Sequence, residues 1–148
     1  VRRCQELPGQ ELFKYVASDG SRQIIDSEAV NAYLREICGQ DFTAKDFRTW
    51  AGTVHAFTLL RISPPPATER MANATVRVAI AHVAKQLGNT PAVCRTCYPH
   101  PAVIEAYRAG TLSARRRKPY LATDCNGGNS LSLAERQTVD VLEQAVAR

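Results

Sequence analysis

The segment Leu87-Gly88-Asn89-Thr90-Pro91-Ala92-Val93-Cys94-Arg95-Thr96-Cys97-Tyr98 constrains the fold of this chain more than any other. Glycine is the residue that closes helices in the left-handed conformation, so Gly88 marks a helix end. Thr90-Pro91 pairs an N-cap with proline at the first helical position, which marks a new start. The spacing therefore predicts one helix ending near Leu87, a tight joint at Gly88-Asn89, and a short helix reaching about Tyr98. Pro99 and Pro101 forbid simple continuation. Pro101 opens a further helix over 102–109, ended by Gly110.

The same signals organise the rest of the chain. Leu12-Phe13-Lys14-Tyr15-Val16, the turn Ala17-Ser18-Asp19-Gly20, and Gln23-Ile24-Ile25 suit a short hairpin. Asp26 or Ser27 caps a helix that places Val30, Tyr33, Leu34 and Ile37 on one face, with Gly39 closing it. Thr43 and Asp46 resemble a capping box, with Asp replacing the usual Glu or Gln. The helix it opens carries Phe47, Ala51, Val54, Thr58 and Ile62 at helical spacing, and Ser63-Pro64-Pro65-Pro66 stops it. A long helix over 68–87 puts Val76, Ile80, Val83 and Leu87 on one stripe. Ser132 and Glu135 cap a last helix whose apolar face is Val139, Leu142 and Val146. The expected fold is mainly α, with a small β element near the N-terminus. It forms a single domain over 1–148, with a core over 26–110 and a basic segment and C-terminal helix over 111–148.

With 148 residues, 45% of them hydrophobic, the chain is large enough for one packed core. A formal charge of +5 favours a polyanionic partner, most often nucleic acid. No window resembles a membrane span or a signal peptide, so no membrane partner is expected, and a soluble cytoplasmic location is. Five cysteines, odd in number and unevenly spread, argue against a disulfide framework. Cys94-x-x-Cys97 lacks a second pair at metal-ligand spacing and a βαβ context. It reads as two small residues on a helix rather than a zinc or thiol-redox site.

The chemistry-bearing residues fall in two clusters. A phosphodiester attacked in line builds negative charge on its non-bridging oxygens, and arginine meets that charge best because its fork matches two oxygens. Tyrosine suits a nucleophile that must leave again, since its pKa of about 10 makes phenolate a better leaving group than an alkoxide. Arg48 stands one turn inside its predicted helix, with Lys45 three residues earlier. Asn89 falls in the joint between helices, where its amide can donate to a phosphate oxygen, and Tyr98 follows nine residues later.

Lys45-Asp46-Phe47-Arg48-Thr49-Trp50 and the segment from Leu87 to Tyr98 resemble the C-terminal part of type IB DNA topoisomerases, in their bacterial, poxvirus-like branch. The likeness extends through Val30-Asn31-Ala32-Tyr33-Leu34-Arg35-Glu36, Asp41-Phe42-Thr43-Ala44-Lys45 and His100-Pro101-Ala102-Val103-Ile104-Glu105-Ala106-Tyr107. The resemblance implies a tyrosine that attacks double-stranded DNA, forms a 3′-phosphotyrosyl link, lets the duplex swivel and reseals it. It implies no cofactor, neither ATP nor a metal, and action as a monomer at the nucleoid. Tyr98 matches the nucleophile and Arg48 the second catalytic arginine, and Asn89 stands where many relatives carry histidine. Lys45, Thr49, Lys85, Arg95 and His100 are the expected DNA contacts.

Two features that the resemblance calls for have no counterpart between Val1 and Gln40. These are an earlier arginine and a lysine on a β-hairpin that acts as general acid. Arg2, Arg3, Lys14, Arg22 and Arg35 do not sit in the expected contexts. The chain is therefore expected to be the last part of a longer enzyme, weak or inactive alone. A tyrosine site-specific recombinase shares the general chemistry, but it usually shows His-x-x-Arg where this chain has Lys45-x-x-Arg48, and Leu-Gly-His where it has Leu87-Gly88-Asn89. A non-catalytic DNA-binding module is the remaining alternative. Trp50 is expected in the core, and His55 and His82 at its edge or on the surface. Arg115-Arg116-Arg117-Lys118 reads equally as a DNA-backbone contact or a solvated segment.

Overall fold

A computed structural model describes residues 13–112 and 131–147, and the chain divides into two compact units, Val1–Phe47 and Arg48–Arg148. Arg2, Arg3 and the basic run at 115–118 lie outside the described residues. The described part is mainly α, with six helices and one small two-stranded antiparallel sheet.

In the first unit, β1 (Lys14–Val16) and β2 (Arg22–Ile24) pair in the register Lys14↔Ile24, Tyr15↔Gln23 and Val16↔Arg22. The turn is closed by Ala17 N–H donating to the Ser21 carbonyl (2.8 Å), with Gly20 at φ 82°. Helix α1 (Ser27–Cys38) is capped by Asp26, whose Oδ1 accepts from Ala29 N–H at 2.8 Å. Gly39 ends it at φ 65°. Asn31 Oδ1 accepts the Ala44 N–H (2.9 Å), tying α1 to the start of the next helix. No residue of α1 is buried, and Tyr33 and Ile37 are exposed.

Helix α2 (Ala44–Ile62) begins with Asp46 accepting from both the backbone N–H (2.9 Å) and the hydroxyl (2.6 Å) of Thr43. The reciprocal arm does not form: Asp46 N–H bonds the Thr43 carbonyl at 3.0 Å instead of its hydroxyl. The face expected inside also differs. Gly52, Thr53, Ala56, Phe57, Leu60 and Arg61 are buried, while Phe47 and Ile62 are exposed. Apolar residues lie all round this helix, so period alone cannot select a face; the small residues select it by allowing close approach. Buried Arg61, in the last turn where the helix dipole favours a cation, stands with Cζ 5.9 Å over the Phe57 ring.

The second unit holds the core. Helix α3 (Glu69–Gln86) is capped by Thr68 and buries Val76, Ile80 and Val83 along the expected stripe. It packs on α4 (Pro91–Cys97) and on α5 (Pro101–Arg108), and α5 packs on α6 (Leu133–Val146). Phe57, Leu60, Val83, Cys94, Val103, Tyr107 and Leu112 are fully buried in one cluster. The Tyr107 hydroxyl donates to the Pro64 carbonyl at 2.9 Å, fastening the proline connection to that core.

Ser132 and Glu135 form both arms of the capping box on α6. The buried face of α6 is Ala134, Thr138 and Val141 rather than Val139 and Val146, and Val146 is 87% exposed. Thr138 enters the core because its hydroxyl donates to the Ala134 carbonyl at 2.7 Å, which leaves its methyl to pack. Trp50 is half-buried, with its indole N–H donating to Glu135 Oε1 at 3.3 Å.

Candidate active site

The end of α3 builds the centre of the site. Leu87 is the C-cap, Gly88 turns the chain at φ 65°, and Asn89 N–H closes back on the Ala84 carbonyl at 2.8 Å. This closure leaves the Leu87 carbonyl without an intrahelical partner, as helix ends do. Two side chains take it: Arg48 Nη2 donates at 2.6 Å and Asn89 Nδ2 at 3.4 Å.

The next helix start delivers the tyrosine. Thr90 caps α4, its hydroxyl accepting from Val93 N–H at 3.4 Å, and Pro91 occupies the first turn. Tyr98 is the C-cap, with its N–H on the Cys94 carbonyl at 3.1 Å. Its phenol runs back toward the α3 end. There Arg48 Nε and Asn89 Nδ2 each stand 3.4 Å from Oη. The Arg48 guanidinium also lies against the ring, with Cζ 5.4 Å from the centroid.

Arg48, Asn89 and Tyr98, the three side chains singled out in the sequence, therefore meet around one phenolic oxygen. The 3.4 Å contacts are at the long end for hydrogen bonds. Both donors are thus aimed at the oxygen without being consumed by it. A tetrahedral oxyanion next to Oη would face a charged fork and a neutral amide, each already oriented.

Sequence reasoning missed the seat beneath Tyr98. A Cβ added to Gly52 would lie 2.9 Å from Tyr98 Cβ and 3.3 Å from Leu87 Cδ1, so only glycine lets α2 approach this closely. The available signal was a glycine inside a helix, which costs about 1 kcal/mol relative to alanine and asks for a packing reason. The neighbouring Thr53, 2% exposed, accepts from His100 N–H at 3.2 Å and donates to the Thr49 carbonyl at 2.8 Å. The Tyr98 carbonyl, at 3.2 Å, is its alternative acceptor. Thr53 thus grips the chain on both sides of Pro99.

The remaining expected contacts are more dispersed. Thr49 is half-buried and offers its carbonyl to Thr53. His100 caps α5, with Nδ1 accepting from Ala102 N–H at 3.2 Å, which fills the structural role open to it. Lys85 is exposed in the last turn of α3, and Arg95 is exposed on α4. Lys45 belongs to the other compact unit and is exposed in the first turn of α2. Cys94 is buried beside the site and burial pushes its thiol pKa up, whereas Cys97 is exposed. His55 and His82 are on the surface.

A DNA topoisomerase 1B from Acanthamoeba polyphaga mimivirus is 27% identical to this chain over 115 residues, 73% of the chain and 34% of the relative. The chain thus spans about a third of the length of that relative. No helix among the described residues is long and apolar enough to cross a membrane. The family described as the catalytic core of eukaryotic DNA topoisomerase I matches residues 1–124, most of the chain, and the chain belongs to that family.

Proposed function

We propose that this chain carries the nucleophile of a type IB topoisomerase, of the bacterial, poxvirus-like kind, which relaxes supercoiled double-stranded DNA as a monomer. One observation carries the reading: Arg48 Nε and Asn89 Nδ2 converge at 3.4 Å on the Tyr98 hydroxyl. In the proposed step Tyr98 Oη bonds to the scissile phosphorus as the P–O5′ bond breaks. The phenol proton passes to solvent, and the departing oxygen takes a proton to become a 5′-hydroxyl. Resealing runs the same exchange backwards, with the tyrosine as leaving group.

Arg48 is assigned to the non-bridging oxygens, where a preorganised donor is worth about 10²–10³-fold in rate. Asn89 is assigned to the same charge as a neutral donor whose strength does not change with pH, unlike an imidazole. Among the described residues no lysine or carboxyl group bonds to Tyr98 Oη. The proton for O5′, which leaves opposite Tyr98 Oη, is a separate role that the family resemblance gives to a lysine.

The test is a nicked suicide duplex incubated in EDTA and resolved on a denaturing gel, with Tyr98→Phe as control. A DNA-linked protein band that is lost in Tyr98→Phe supports the reading. A band that survives Tyr98→Phe overturns it. A salt-sensitive gel shift with no band, from the chain alone and with the preceding family segment supplied, favours a DNA-binding module.

A further inference from the structure

We infer that the chain has a second phosphate-binding element, an arginine cleft on the far part of α3, which grips a run of nucleic-acid phosphodiesters and does no chemistry. The cleft is an open depression of about 600 Å³ lined by Arg70, Asn73 and Arg77 of α3, Arg95 of α4 and Arg108 of α5, together with Glu69. Arg108 donates to Asn73 Oδ1 at 2.8 Å, which fixes one fork toward the cleft. Among the described residues none of these arginines is within ion-pair distance of a carboxylate; the ion pair found there is Arg35–Asp41, elsewhere. Four guanidinium groups against one carboxylate leave the lining at +3 (four minus one). Like charges gathered from three helices, with no carboxylate paired to them among the described residues, attract a polyanion.

The dimensions select the kind of anion. Arg70, Asn73 and Arg77 share one face of α3, and Arg70 to Arg77 is two turns, about 10.5 Å of rise. Two forks anchored two turns apart can each take a separate phosphate. One strand of B-DNA carries a charge every 3.4 Å or so of axis, so this span is about three phosphate-to-phosphate steps of axial rise. Arginine forks pair with phosphate oxygens two at a time, which suits them to a fixed strand better than lysines. Arg77 lies ten residues before Leu87, about 15 Å along the helix axis, so the α3 wall of the cleft is removed from the Leu87 carbonyl, while Arg95, three residues before Tyr98, forms the wall nearest the tyrosine.

The nucleic-acid partner rests on the proposed function, but the binding does not depend on Tyr98 chemistry. The experiment is duplex binding by the chain across a salt series, comparing wild type with Arg70→Ala/Arg77→Ala. A second variant, Arg22→Ala/Arg136→Ala, has the same net charge and controls for non-specific attraction. The slope of log Kd against log salt should fall by about two for the cleft variant, across unrelated sequences, and stay within about one of wild type for the control. Arg70→Lys/Arg77→Lys should restore most of the slope, because charge returns without the fork. Equal slopes in wild type and the cleft variant, with unchanged circular dichroism, overturn the inference. So does an equal loss in the control. The Tyr98 adduct on a saturating suicide duplex is the separate readout: it should persist in the cleft variant. Loss of the slope effect with the adduct intact condemns the cleft alone, and the reverse pattern condemns the tyrosine reading alone.

Discussion

Gly52→Ala is the sharpest test of how Tyr98 is held. The added Cβ would sit 2.9 Å from Tyr98 Cβ, whereas ordinary contact begins near 3.4 Å, so about half an ångström must be found. The clashing atom is at the root of the tyrosine side chain and cannot swing aside as a flexible tip would. Relief must move the Tyr98 backbone, which Thr53 and the Cys94 carbonyl hold. Overpacking of this kind costs about 1–3 kcal/mol, and alanine returns about 1 kcal/mol of helix propensity. The net loss of stability is therefore about 0–2 kcal/mol, or a Tm lower by no more than roughly 8 °C in a chain of this size. Catalysis is less forgiving. An ångström of misplacement costs about 100-fold, so half of that predicts about a tenfold slower adduct. Single-turnover cleavage of the suicide duplex and a thermal melt measure the two quantities, in whichever form of the protein gives the Tyr98 adduct. Ile80→Val, a core change of about 0.5–1.5 kcal/mol, should lose comparable stability and keep its rate. If Gly52→Ala cleaves within about twofold of wild type, the seat does not position the nucleophile and the reasoning fails.

Three further predictions concern other links of the argument. Asn89→Ala should slow cleavage by about 10²-fold, while Asn89→His retains much of the rate and gains a pH dependence near 6.5; a fully active alanine variant in the single-turnover assay removes Asn89 from the site. The Ser132 hydroxyl and backbone N–H, with the Trp50 indole, hold the Glu135 carboxyl below its ordinary value of 4.5. That stabilisation is present above the unfolded pKa and fades as pH falls through the lower folded one, so urea midpoints of wild type and Glu135→Gln should differ at pH 6 and converge in acid. A constant difference across that range contradicts the linkage. Under native alkylation, Cys38 and Cys97 should react and Cys94 only on unfolding, as read by peptide mass mapping; early labelling of Cys94 would show that its burial does not persist.

The helix boundaries were legible because caps and breakers act locally. Gly88, Thr90-Pro91, Pro101 and the Ser132–Glu135 box lie where the chain turns, and each works through its own backbone preferences. The inward faces of α2 and α6 were not legible, since burial is decided by the neighbours. A one-residue shift rotates a helix face by about 100°. On α6 that shift is carried by Thr138, which a sequence pattern reads as polar and the fold treats as small. The candidate site was legible as residue types but not as an arrangement. Arg48 and Tyr98 are 50 positions apart, and nothing local to either reveals Gly52 or Thr53 beneath the tyrosine.

What joins the distant parts is the Leu87 carbonyl, and the lengths of its bonds suggest how the site divides its labour. The Arg48 Nη2 contact at 2.6 Å is short and charge-assisted, so it is the bond the arginine keeps. The contacts of Arg48 Nε and Asn89 Nδ2 with the phenol, at 3.4 Å, are weak and easily exchanged. An arriving phosphoryl oxygen can therefore capture the long contacts while the short one continues to hold the guanidinium plane. Orientation is thus supplied before the phosphate arrives, by a backbone oxygen that cannot leave. The left-handed turn at Gly88 makes that oxygen available, because it ends α3 one residue past Leu87 and leaves the carbonyl for side chains to claim. Alanine at Gly88 would be strained at φ 65° even though no atom lies in the way of its Cβ. Its cost would thus fall on the arginine's anchor rather than on packing, which is how a helix terminator becomes part of the proposed catalytic arrangement.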